Sequence, residues 1–222
     1  MKPTVAIVLV AAVAGCGGGP NLSFSVRAGS PTATTAALSR SALVAGTGIV
    51  LDRVRLVIRK VELEKAGTAE MSEVASGPYL LDLSAADLDS GTVSKVLDAS
   101  FTPGTYSEIS FELHNAEDGD LAANPALAEM AAAKASIIAD GTIDGVAFSF
   151  KTAVTAEQKF EGTLDLQDGS NLTLNVDAAS WFTSGGSRLD PRNESNRSQI
   201  ENNIQNSFQA FRDDDHDGHD DA

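Results

Sequence analysis

Cysteine is almost missing from this sequence: among its 222 residues only Cys16 is one. A disulfide within the chain needs two thiols, and cysteine-based zinc sites and thioredoxin-like pairs need more than one, so none of these organises the fold. Basic residues are also scarce, 16 Lys and Arg against 31 Asp and Glu, which leaves a net charge of −15. Nucleic acid is held largely by cations that neutralise phosphates, and this balance argues against it. It argues equally against adhesion of the body to an anionic membrane. Divalent cations or a basic partner surface suit the charge, as does solubility alone. Catalytic signatures are missing too: there is no Gly-x-Ser-x-Gly elbow, phosphate loop, dinucleotide fingerprint or His-Glu-x-x-His motif.

What is present begins with an address. Lys2 is a short basic region, and Val5 to Ala14 is an unbroken apolar run. That run is too short for a spanning helix, which needs about 20 residues, and it reads as a secretory signal peptide over 1–15. Val13-Ala14-Gly15-Cys16 resembles the bacterial lipobox, whose cysteine becomes the lipidated N-terminus after cleavage. The resemblance implies that Cys16 carries a diacylglycerol and a further acyl chain, and two or more chains anchor stably. Gly17, in place of an aspartate, matches the Gram-negative pattern for outer-membrane sorting. Residues 16–20 are then a lipidated, glycine-rich tether at the bacterial cell envelope.

The body alternates like strands. Leu22, Phe24 and Val26 alternate with serines, which predicts a half-buried strand, and the Ser/Thr/Ala-rich stretch 30–48 predicts a loop. In VLDRVRLVIRKVELE, Val54, Leu56 and Ile58 share one face and Arg53, Arg55, Val57 and Arg59 the other, until the phase moves to Val61 and Leu63. A one-residue slip turns a strand inside out, so a β-bulge is expected near Arg59 and Lys60. Tyr79 to Leu83 is a further strand. Pro103-Gly104 predicts a turn into a strand with Ile109, Phe111 and Leu113 inward. Asn124-Pro125 predicts the start of an alanine-rich helix that runs to about Lys134.

Asp144-Gly145 is a strong two-residue hairpin signal. Closing on it pairs Ile143 with Val146, Gly141 with Phe148 and Ala139 with Phe150, and gathers Ile137, Ile143, Val146, Phe148 and Phe150 on one apolar face. A second hairpin is expected around Asp168-Gly169, with Leu164 and Leu166 against Leu172, Leu174 and Val176. These signals predict a mainly β fold, an antiparallel β-sandwich of about seven strands over 21–182, with one short inserted helix and a C-terminal helix.

The succession NLSFSVRAG, DRVRLVIRKVEL, PGTYSEISFEL, GTIDGVAFSF and NLTLNVDAASWF resembles a family of bacterial secreted lipoprotein domains of unknown function. The resemblance covers roughly residues 20 to 182 as patterned segments and implies a transthyretin-like or prealbumin-like β-sandwich. Where that family usually has an Asp-Ala-Pro turn after its first strand, this chain has Arg27-Ala28-Gly29. The family supplies no activity to carry over.

Residues 183–212 read as a loop and an amphipathic helix. Ser198 and Glu201 fit a capping box, and Ile200, Ile204, Phe208 and Phe211 form one helical stripe that packs on the sandwich. Within the acidic tail 213–222, Asp213, Asp215, Asp217 and Gly218 match the opening of an EF-hand-type calcium loop, whose oxygens recur at alternate residues. His219 would offer its backbone carbonyl, and Asp221 would ligate directly or through water. The bidentate glutamate such a loop ends on falls past the last residue. A solvated acidic terminus is the alternative reading. His216 and His219 would suit a transition metal instead.

His114 lies on an expected strand beside Ser110 and Glu112, a set that looks like a relay but that any strand face can produce. The chain therefore reads as a lipid-anchored envelope lipoprotein, non-enzymatic, with a binding or structural role and calcium as candidate ion. Two alternatives stay open: a calcium-dependent adhesion or glycan-binding module with a protein or glycan partner at the cell surface, and a hydrolase with a site near His114. One Trp, two Tyr and nine Phe argue mildly against a glycan groove.

Overall fold

The structure is a computed structural model that describes residues 19–29, 48–68 and 70–221. The signal peptide, Cys16 and nearly all of the expected loop 30–48 lie outside the described residues. In chain order the elements are β1 (Asn21–Ala28), β2 (Ile49–Lys65), β3 (Met71–Ser84), α1 (Ala85–Ser90), β4 (Ser94–Ser100) and β5 (Gly104–Leu113). There follow α2 (Ala128–Ala133), β6 (Ile137–Ile143), β7 (Val146–Thr152), β8 (Ala156–Leu166) and β9 (Asn171–Val176). A small hairpin, β10 (Thr183–Ser184) and β11 (Ser187–Arg188), leads to α3 (Arg197–Gln205) and β12 (Phe208–Arg212). Among the described residues no helix is long and apolar enough to cross a membrane.

Two sheets face each other across one core. The smaller has the order β12-β9-β1-β4, and the larger β7-β6-β2-β5-β8 with β3 also on β2. The fold is thus the expected mainly β sandwich, with more strands than the sequence suggested. It is not wholly antiparallel, because β9 runs parallel to β1. Leu22, Phe24 and Val26 of β1 and Leu172, Leu174 and Val176 of β9 meet Val54, Leu56, Ile58, Ile109 and Phe111 from the other sheet in one cluster. Each such side chain contributes on the order of 1.5–3 kcal/mol when fully buried.

The long strand β2 is forked. Its residues 53–64 pair with β3, while 49–56 pair with β6 and 58–65 with β5. A strand has two edges, so β5 and β6 share one of them end to end. Val57 is the handover, with its N–H donating to Ser136 O and its carbonyl accepting from His114 N, both at 2.9 Å. The register breaks between Ile58 and Lys60 in the pairing with β3, which is the expected bulge. Val57 faces outward, and α2 covers it: Val57, Leu127, Met130 and Ile138 form a second small core. The expected start at Asn124-Pro125 opens a 3-10 turn over Pro125–Leu127, with Asn124 Oδ1 accepting from Ala126 N at 3.2 Å, and the α-helix itself begins only at Ala128. It ends at Ala133, with Lys134 in the left-handed region.

The β6–β7 hairpin has the expected register throughout. Ile137, Ile143, Phe148 and Phe150 are buried, but Val146 is 56% exposed. β7 is an edge strand and Val146 sits at its turn end, so it has a neighbour on one side only.

Four further expectations are corrected. β8 and β9 do not pair with each other: β8 joins β5 and β9 joins β1 and β12, so the turn at Asp168-Gly169 steps between sheets. The C-terminal helix stops at Gln205, and Phe208 and Phe211 belong to β12. Asn206 Nδ2 bonds Asn202 O at 2.7 Å and Ser207 Oγ bonds Ile204 O at 2.7 Å, and such local bonds compete with helix continuation. The Ser198–Glu201 capping box is not formed; Glu201 Oε1 accepts from Thr152 Oγ1 at 2.8 Å instead. Finally, β1 is buried on both faces rather than one, since Ser23 and Ser25 are covered too.

Candidate functional site

The covering over β1 and β9 is the acidic tail. β9 alternates Leu172, Leu174 and Val176 toward the core with Asn171, Thr173 and Asn175 on the outer face, and all six are buried. Apolar side chains would satisfy nothing there. Asn171 and Thr173 bond the tail, whereas Asn175 Nδ2 donates to Gly29 O at 3.0 Å. Asp213 N donates to Asn171 O at 3.0 Å, and Asn171 Nδ2 donates to Asp213 O at 2.9 Å. Asn171 N donates to Asp214 Oδ1 at 2.9 Å, so Asp214 turns back onto the sheet.

Asp213 is 0% exposed, although it carries a carboxylate. Its Oδ2 accepts from Thr173 Oγ1 at 2.8 Å and its Oδ1 from Gly218 N at 3.2 Å. A buried charge needs such partners. Beyond it the chain curls. Asp215 Oδ1 accepts from Asp217 N at 3.1 Å, and Asp217 Oδ1 from His219 N at 2.8 Å. His216 and Gly218 take positive φ of 59° and 83°. At Gly218 a Cβ would also run into the Arg27 guanidinium, whose Nη1 donates to the Gly218 carbonyl. Asp221 is drawn in by Asp214 N, which donates to its Oδ2 at 2.6 Å, and by its own N–H on Arg212 O at 2.9 Å.

These bonds bring carboxylate oxygens of Asp213, Asp215 and Asp221 within 4.8 Å of one another. Asp217, also expected as a ligand, is not in that cluster. A hard cation that prefers several oxygens suits such a donor set, which contains no imidazole or thiolate. Arg27 lies under the loop. Burial lowers its pKa from the ordinary value, and the charges of Asp213 and Asp217 pull it back up.

The set around His114 is arranged differently from a relay. His114 is buried, and its Nε2 lies 2.8 Å from Asp120 Oδ2, which also accepts from Glu117 N at 2.9 Å. Burial raises the Asp120 pKa, but the Glu117 amide and His114 lower it further, to a net value below the ordinary one. Ser110 Oγ donates to Glu157 Oε1 at 2.9 Å, and Glu112 lies 3.7 Å from Lys60 Nζ. The three residues of the suspected relay thus have separate partners.

No family model matches this chain, and no curated protein does. Among solved structures, MbnP from Methylosinus trichosporium is similar at 13% identity, over 76% of this chain and 79% of that one, with a TM-score of 0.37.

Sequence reading placed the acidic loop but missed what holds it. Arg27, Asn171 and Thr173 lie far from the tail in the chain. One local signal existed: the outward positions of β9 are Asn, Thr and Asn, with none of the Lys or Glu that a solvated strand face usually carries.

Proposed function

We propose that this chain is a lipid-anchored bacterial envelope lipoprotein with a binding or structural role, and that its C-terminal loop binds calcium. The anchor rests on the lipobox-like Val13-Ala14-Gly15-Cys16 behind an apolar run. The single observation that supports calcium is Asp213, a fully buried carboxylate placed next to those of Asp215 and Asp221. Like charges gathered at that distance repel, and a divalent cation relieves the repulsion. The His219 carbonyl completes the expected ligand set, with Asp217 recruited when the loop closes. Affinity on the order of 10⁻⁴ to 10⁻³ M is expected, as in extracellular modules.

Calcium titration by calorimetry, with thermal melting, tests this. At calcium tenfold above the dissociation constant the fold gains about 1.4 kcal/mol. Asp215→Ala and Asp221→Ala, both at exposed positions, should abolish the gain without unfolding the chain. Calorimetric silence together with an unchanged melting temperature at millimolar calcium ends the calcium reading. The anchor has its own check: mass spectrometry of the native N-terminus should find acylated Cys16, and an unmodified thiol would refute it.

A further inference from the structure

Among the described residues, β8 and β12 each have one strand neighbour, β5 and β9 respectively. Their other edges approach each other where Arg212 Nη1 donates to Asp165 O at 3.1 Å. Alongside, between the two strands and the tail, lies a cavity of about 520 Å³. That is within the size range of small-molecule sites, roughly 300–1,000 Å³. Phe160 and Phe211 give it apolar walls, and Arg27 and Asn175 line it from the outer face of the small sheet.

Two polar atoms on those residues have no partner among the described residues. Asn175 is 1% exposed; its Nδ2 donates to Gly29 O at 3.0 Å, while its Oδ1 is buried without a donor. Arg27 Nε is buried without an acceptor. Buried polar groups are nearly always satisfied, so each such atom calls for an explanation. The two residues are register partners on β1 and β9, so their side chains leave the same face of the sheet. The charges around them are mixed: Lys159 lines the cavity with Arg27, and Glu161 and Asp220 line it as well.

We propose that this cavity binds a small zwitterion, a free α-amino acid with an apolar side chain. Its carboxylate accepts from Arg27 Nε and its ammonium group donates to Asn175 Oδ1, two groups on one carbon that match two neighbouring residues. Mixed lining charges favour a ligand of both signs over a plain anion or cation. The side chain rests against Phe160 and Phe211. The tail residues Gly218, His219 and Asp220 close the cavity, so the ligand reaches the buried atoms when this turn lifts. No contact to the ligand passes through a metal, but the turn that lifts contains His219, so binding is tested both with and without calcium.

The test uses the secreted full chain, once with chelator and once with millimolar calcium. L-phenylalanine, N-acetyl-L-phenylalanine and phenethylamine are titrated by calorimetry and by the NMR signal of Arg27 Nε–H. L-phenylalanine should bind saturably and shift that signal. The other two, each lacking one charged partner, should bind about tenfold or more weakly. Gln209→Trp, at an exposed position on the cavity wall, should abolish binding with an unchanged circular dichroism spectrum. Arg27→Met should abolish it too, though it also frees the tail. No saturable binding in either buffer, equal binding of all three probes, or full binding by Gln209→Trp each overturns the proposal.

Discussion

Thr173 shows how much one hydroxyl does in this molecule. It sits in a strand with both faces buried, accepts from Asn171 Nδ2 at 3.0 Å and donates to Asp213 Oδ2 at 2.8 Å. Thr173→Val keeps the shape but leaves a buried carboxylate oxygen without its donor, at a cost of about 1–3 kcal/mol. Denaturant midpoints should fall accordingly, and Thr173→Ser should recover most of the loss. A valine variant as stable as the original would mean that Asp213 is not held from the sheet. That Thr173 points away from the core was legible, because Leu172, Leu174 and Val176 alternate with it. What covers it was not, because its partner Asp213 lies forty residues further on, and period-two patterning carries no information about which distant segment lands on a face.

At the scale of elements, legibility followed locality. The β6–β7 hairpin is specified by its own turn: Asp144 and Gly145 take positive φ of 51° and 79°, and the flanking apolar phases agree. Phe148→Ala should cost about 3–5 kcal/mol, for its ring packs edge-on against Phe182 at 5.6 Å. Val146→Thr should stay within about 0.5 kcal/mol, the usual range for exposed positions. Thermal melts of both variants separate the two faces. The β8–β9 expectation failed because a turn signal fixes a reversal of the chain but not the sheet that the next strand joins. The stripe Ile200, Ile204, Phe208 and Phe211 failed because the bonds of Asn206 and Ser207 end the helix before its last two members.

The loop before α3 carries its own acid-sensitive brace. Arg192 donates to Asp190 from its side chain and backbone, and holds that carboxyl down at about 2 against an ordinary 3.8. A depressed carboxyl stabilises the fold above its unfolded pKa and loses that contribution as pH falls through the folded one. The contribution is therefore complete above pH 3.8 and disappears toward pH 2. A carbon-13 titration of Asp190 should show the low midpoint, and Arg192→Ala should move it back up. A midpoint near 3.8 in the original chain would show that the pair does not form in solution.

For the whole molecule, the tail is a cover rather than an appendage. The residues after Arg212 fold back over the outer face of β9 at Asn171 and Thr173 and reach Arg27 of β1. Removal of residues 213–222 strips the bonds to Asn171, Thr173 and Arg27 but little apolar core. Several hydrogen bonds at about 0.5–1.5 kcal/mol each put the loss at roughly 2–4 kcal/mol. Because the denaturant slope follows the surface exposed on unfolding, it should barely change while the midpoint falls. Hydrogen exchange should quicken at the Asn171 amide, which donates to Asp214, and stay slow at Val57 in the opposite sheet. Calcium should raise the midpoint of the full chain and leave the shortened one unmoved. If the shortened chain keeps both its midpoint and its Asn171 protection, the polar outer face of β9 does not need the tail. The buried position of Asp213 then could not account for an ion site.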